Sequence, residues 1–165
     1  MHRQAKVAPI YNTSGKQSIY LPRGQWIDYW SHEVIKGPQV QFAQAPLPIM
    51  PLYVRANALI PTVKPAPYLS DEPFDFVIFN AYLLDHGSFK LVDNDSLTHV
   101  SAELTADGWL DVRLDGIKRK AGLRVIPLPG RPAIQQVTVK GRPLPAGRSF
   151  AASADVARRL GTGPE

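Results

Sequence analysis

Short runs of alternating apolar and polar residues recur along the chain, separated by turn residues. "WLDVRLD" (109–115) is the clearest. Leu110, Val112 and Leu114 point one way, and Asp111, Arg113 and Asp115 the other, which is the pattern of a half-buried antiparallel strand. "ADGW" (106–109) places an Asp-Gly turn just before it. Similar runs predict strands in "QSIYLP" (17–22), "QWIDYW" (25–30), "QVQFAQAP" (39–46), "PLYVRANALIP" (51–61) and "FDFVIFN" (74–80). They continue with "SFKLVD" (88–93), "HVSAEL" (99–104), "GLRVIPL" (122–128) and "AIQQVTV" (133–139). Strands every 8–14 residues or so predict an all-β protein of small antiparallel β-sandwiches.

Punctuation refines this. Pro22 and Gly24 suit a type I turn, so 17–30 is predicted to fold back on itself there. "TVKPAPYLSDEP" (62–73) has three prolines and no apolar period, and reads as a linker. It divides the chain into two sandwich domains in tandem, 1–66 and 67–147, with a basic tail at 148–165. In the tail, "ASADVARRLG" (152–161) has Ser153 as a helix N-cap and Gly161 as a stop, so a short helix or a frayed end is expected.

Composition agrees. The 165 residues are 44% hydrophobic and 20% charged, a globular balance. Sixteen prolines and twelve glycines leave little room for long helices. Cysteine is absent, which excludes disulfides, thiolate chemistry and Cys-ligated zinc. The N-terminal stretch has no apolar signal-peptide core, and no run suits a membrane span; a cytoplasmic location is favoured. Residues 1–115 carry 9 Lys/Arg against 12 Asp/Glu, a net −3, and residues 116–165 carry 10 against 2, a net +8. With no nucleic-acid reading motif beside it, the basic part reads as a solvated hairpin, "DGIKRKAG" (115–122), and a basic end.

Candidate chemistry is sparse. There is no nucleophile elbow, no zincin motif and no phosphate loop. "DNDS" (93–96) lacks the glycine and distant glutamate of a calcium loop and reads as an Asx-turn. No metal and no cofactor are expected. Asp28, Asp85, Asp93 and Asp95 are available acids, but glycoside hydrolysis needs two held about 5–9.5 Å apart, and sequence pairs none of them. The densest feature is "YLPRGQWIDYW" (20–30), with Tyr20, Trp26, Tyr29 and Trp30 around Asp28. On one strand, Trp26, Asp28 and Trp30 share a face, and Ile27 and Tyr29 share the other. The second pair is expected in the sandwich core. The tryptophan face is the candidate binding surface, for a neighbouring domain or, by ring stacking, for a sugar.

Several stretches resemble glycoside hydrolase family 31, the family of α-glucosidases and α-xylosidases. "YLPRGQWIDYW" resembles its YLP-x-G-x-W-Y-D-x-W strand pair, and "APLPIMPLYVRANALIP" (45–61) its APLDxIPLFVRAGAIIP segment. "GSFKLVDND" (87–95) is similar to GSFTLYEDDG, "AIQQVTVKGRPL" (133–144) to the closing strand, and "KVAPIY" (6–11) to the barrel-exit segment. The chain departs from the family pattern at Pro48 and at Asn57, which stands where the family has glycine; asparagine tolerates φ > 0 best among the other residues. The resemblance implies proximal and distal C-terminal sandwiches that follow a (β/α)8 barrel. Such a barrel needs about 250 residues, so it and both catalytic aspartates are expected to be absent. No catalytic residue carries over.

The function that follows is accessory: sandwich domains that support or dock a catalytic barrel, with no catalysis by the lone chain. A stand-alone carbohydrate-binding module is the alternative. The expected partner is the barrel, with a carbohydrate, or a second copy through the docking face of Trp26, Asp28 and Trp30, as further partners. Neither nucleic acid nor membrane is expected.

Overall fold

The computed structural model describes residues 4–10, 12, 14–46, 49–63, 76–93, 96–131, 136–139, 142–143 and 158–161. Every regular element among them is a strand, so the chain is all-β. It divides into two compact units, residues 1–56 with 127–131, and residues 57–126 with 132–165.

The first unit holds β1 (Ala5–Val7), β2 (Lys16–Asp28), β3 (Val34–Gln44) and β4 (Leu52–Arg55) in one antiparallel sheet of order β1-β4-β2-β3. The turn expected at Pro22–Gly24 is not there. β2 runs through it as one 13-residue strand. Its register against β3 jumps from Leu21↔Gln39 to Gly24↔Gly37, which marks a β-bulge. Proline and glycine serve a bulge as readily as a turn, and Gly24 takes φ 129° there. Gly37 is dictated by contact: a Cβ on it would lie 2.1 Å from the Pro22 carbonyl oxygen. Ile19, Leu21, Trp26, Ile35, Tyr53 and Ala8 form a buried cluster. Ile27 and Val54, paired across β2 and β4, alternate to the other face and are fully buried as well.

The second unit contains β5 (Ala58–Thr62), β6 (Phe76–Tyr82), β7 (His86–Asp93), β8 (Ser96–Leu104), β9 (Trp109–Asp115), β10 (Lys120–Val125), β11 (Gln136–Val139), β12 (Arg142–Pro143) and β13 (Arg158–Gly161). They form a three-stranded sheet, β10-β6-β5, and a six-stranded sheet, β12-β11-β13-β9-β8-β7. Leu59, Val77, Phe79, Ala81 and Ala121 of the first pack with Val100, Ala102, Leu110, Val112 and Leu114 of the second, which is a sandwich core. β9 shows the expected alternation, with Leu110, Val112 and Leu114 buried.

Three local expectations change. The run 51–61 is two strands, β4 and β5, broken by a turn at Ala56–Asn57. "DGIKRKAG" is no hairpin: it leaves β9 in one sheet, buries Ile117, and enters β10 in the other. There β10 lies parallel to β6, the one parallel ladder among the described residues. Periodicity cannot reveal such a crossing, because it reads one strand's faces and not its neighbours. Arg158–Gly161 form β13, paired with β9 and β11, where a helix end was expected; tertiary pairing overrides so short a helical signal. Most of the predicted linker, and Asn94 and Asp95 of the "DNDS" turn, lie outside the described residues.

Candidate functional site: an aromatic turn at the end of β2

The strand ends at Asp28 because its own side chain ends it. Asp28 Oδ1 accepts the backbone N–H groups of Trp30 and Ser31, both at 2.9 Å. The Asp28 carbonyl accepts from His32 N at 2.9 Å, and Asp28 N donates to Glu33 O at 2.9 Å. His32 sits at φ 62°, which reverses the chain into β3. An aspartate followed by a serine three residues on is a local competitor to the sheet ladder.

This separates the three candidate residues. Trp26 lies in the core of the first unit, 3% exposed. Its indole N–H donates to Pro22 O at 2.8 Å across the bulge, and the Arg55 guanidinium stands 5.7 Å from its ring centre. Asp28 holds the turn. Trp30 lies past the strand end and is 55% exposed. Strand alternation therefore does not carry from Trp26 to Trp30. Tyr29, expected in the core with Ile27, is 40% exposed for the same reason.

Trp30 is nonetheless held. Its Nε1–H donates to Met50 O at 2.9 Å, and Tyr29 meets it edge to face with ring centres 5.1 Å apart. Tyr29 N is anchored on Leu52 O at 2.9 Å. Ile49 and Met50 are themselves more than two-fifths exposed. Tyr29 and Trp30 thus form an outward aromatic platform on backbone fixed by hydrogen bonds, and the exposed Ile49 and Met50 lie in the segment to which Trp30 is bonded. Sequence reasoning passed over Ile49 and Met50. Their signal was present in "PIM" (48–50), an apolar run outside any strand period.

The platform offers apolar contact rather than proton transfer. Asp28 Oδ1 is committed to the turn. Beneath it, burial and then the Asp28 charge push the Tyr53 phenol above its ordinary value of 10.0. Asp85 is likewise engaged: it accepts from the Asn57 side chain and, at 2.7 Å, from His86 N. Among the described residues, no three His, Asp or Glu side chains are grouped to hold a metal, and no helix is long and apolar enough to cross a membrane.

Residues 7–60, which contain the whole platform, match the glycosyl hydrolase family 31 C-terminal domain. That likeness covers about a third of the chain. An alpha-glucosidase of Saccharolobus solfataricus is 31% identical over 97 residues, 59% of this chain and 12% of that protein. An alpha-xylosidase of the same organism is 28% identical over 85 residues, 51% of this chain and 12% of that protein. The chain therefore spans about an eighth of the length of these two relatives. A family 31 dextranase of Flavobacterium johnsoniae, solved as a mutant with isomaltotriose, shares the fold with a TM-score of 0.81 at 16% identity, over 96% of this chain and 26% of that one. The family's C-terminal domain is an accessory domain of glycoside hydrolases.

Proposed function

We propose that this chain is an accessory region that packs against an α-glycosidase catalytic domain, itself a (β/α)8 barrel, and does no catalysis alone. The observation that carries this is the Trp30 platform. A tryptophan 55% exposed, yet pinned by a hydrogen bond and an edge-on tyrosine, is a surface kept rigid for contact. Exposed apolar groups of this kind mark interaction sites, and rigid anchors lose little entropy on docking. Trp26 supports the surface from within, and Asp28 positions Trp30. Neither reaches a partner itself.

Sugar binding by the same ring is the second reading, favoured by the exposure of Trp30. The edge-to-face tyrosine argues against it, since one ring's edge meets the other's face and the two offer no common plane. Two measurements on the purified chain separate the readings. Aryl α-glucosides and α-xylosides should release no phenol. Maltooligosaccharides to millimolar concentration should leave tryptophan fluorescence unchanged. Turnover that survives removal of host glycosidases refutes the accessory role, and a saturable change in fluorescence moves the function to sugar binding.

A further inference from the structure

β3 closes the first sheet on one side, and among the described residues no strand pairs with its outer edge. An open edge offers a row of backbone donors and acceptors to any extended segment. Natural edges are usually blunted by charge, yet from Gln39 to Gln44 this one carries no ionisable residue, glycine or proline. Its outward face is apolar instead. Phe42 is 82% exposed and Val40 49%, and Tyr20, paired with Val40 from β2, is 54% exposed.

We propose that this edge is self-pairing: two copies of the chain join antiparallel along Gln39–Ala43, with Gln41 on the two-fold axis. The stretch is self-complementary in that register. Val40 of each copy stands opposite Phe42 of the other, on the same face, where cross-strand apolar pairs stabilise a sheet. Gln41 meets Gln41, and Gln39 meets Ala43. The charges are compatible as well, because Lys36 falls opposite Pro46 of the second copy and no cation faces a cation. Pro38 and Pro46 bound the ladder, since proline cannot donate to it. The isologous contact closes on itself, so it gives a dimer and not a fibre.

The absence of cysteine makes the test clean. Sedimentation equilibrium of the whole 165-residue chain should show a reversible monomer–dimer equilibrium. Phe42→Lys should weaken it at least tenfold, with an unchanged circular dichroism spectrum, and Trp30→Lys should leave it intact. A short bismaleimide should cross-link Gln41→Cys into a dimer far faster than Val92→Cys, an exposed position on β7. A chain that stays monomeric to millimolar concentration overturns the proposal. So does a dimer indifferent to Phe42→Lys, a dimer lost with Trp30→Lys, or equal cross-linking at the two cysteines.

Discussion

The indole N–H of Trp30 donates to the carbonyl oxygen of Met50 at 2.9 Å, and so ties the turn after β2 to the segment that leads into β4. Trp30→Phe keeps a ring and removes that bond. At an exposed site the loss should be about 0.5–1 kcal/mol of unfolding free energy. Urea denaturation of the two proteins, with equal m values, measures it.

Asp28 acts before Trp30 in this chain of dependence. Asp28→Ala frees the N–H groups of Trp30 and Ser31 and should cost about 1–2 kcal/mol, whereas Asp28→Asn, which keeps an acceptor oxygen, should cost less than half as much. If urea unfolding finds the two variants equally destabilised, the turn is not held by the bonds assigned to Asp28.

Asn57 occupies φ 68° and its Oδ1 accepts from Leu84 N at 2.8 Å and Asp85 N at 3.1 Å. Asn57→Gly and Asn57→Ala lose the same side-chain bonds, but only alanine pays the left-handed penalty. The alanine variant should be about 1–2 kcal/mol less stable than the glycine variant. Thermal melts that rank them equal, or reverse them, contradict the left-handed turn.

Gly37 and Gly122 make a contrasting pair. An alanine Cβ at Gly37 meets backbone, the Pro22 carbonyl oxygen at 2.1 Å, while at Gly122 it meets the end of the Phe76 ring at 3.1 Å. Phe76 can yield and the bulge cannot. Gly37→Ala should destabilise by about 3 kcal/mol and Gly122→Ala by under about 1, as read by equilibrium unfolding.

Tyr53 sets a pH dependence. Its folded phenol is held above 10.0 by burial first and the Asp28 charge second. The folded state therefore binds this proton more tightly than the unfolded state. The stability so gained is fully present below pH 10 and is lost as pH rises through the folded value. Between pH 9 and pH 11.5 the wild type should lose more stability than Tyr53→Phe. Parallel losses in the two proteins would leave Tyr53 without the assigned role.

How much of this was legible depends on the range of the signal. The faces of β9 follow from alternation alone. The left-handed turn at Asn57 split a run read as one strand, and the hint of φ > 0 there came from the glycine of the resembling family, not from the pattern of this chain. The bulge at Pro22–Gly24 was not, since the same two residues serve a turn or a bulge, and the pairing with Gly37 decides between them. The Trp26–Trp30 face failed at Asp28, where a side chain captured backbone N–H groups and ended the strand two residues early. The parallel β6–β10 ladder lay beyond reach, because it joins segments more than forty residues apart with no periodic trace.

We propose that the Tyr29–Trp30 platform docks a catalytic domain like those of family 31. The direct measurement is calorimetric titration of this chain into the Saccharolobus solfataricus alpha-glucosidase from which the matching C-terminal region has been removed. Docking gives saturable one-to-one binding, weakened at least tenfold by Trp30→Lys and unchanged by Phe42→Lys. No binding by the wild type, or binding indifferent to Trp30→Lys, would contradict it.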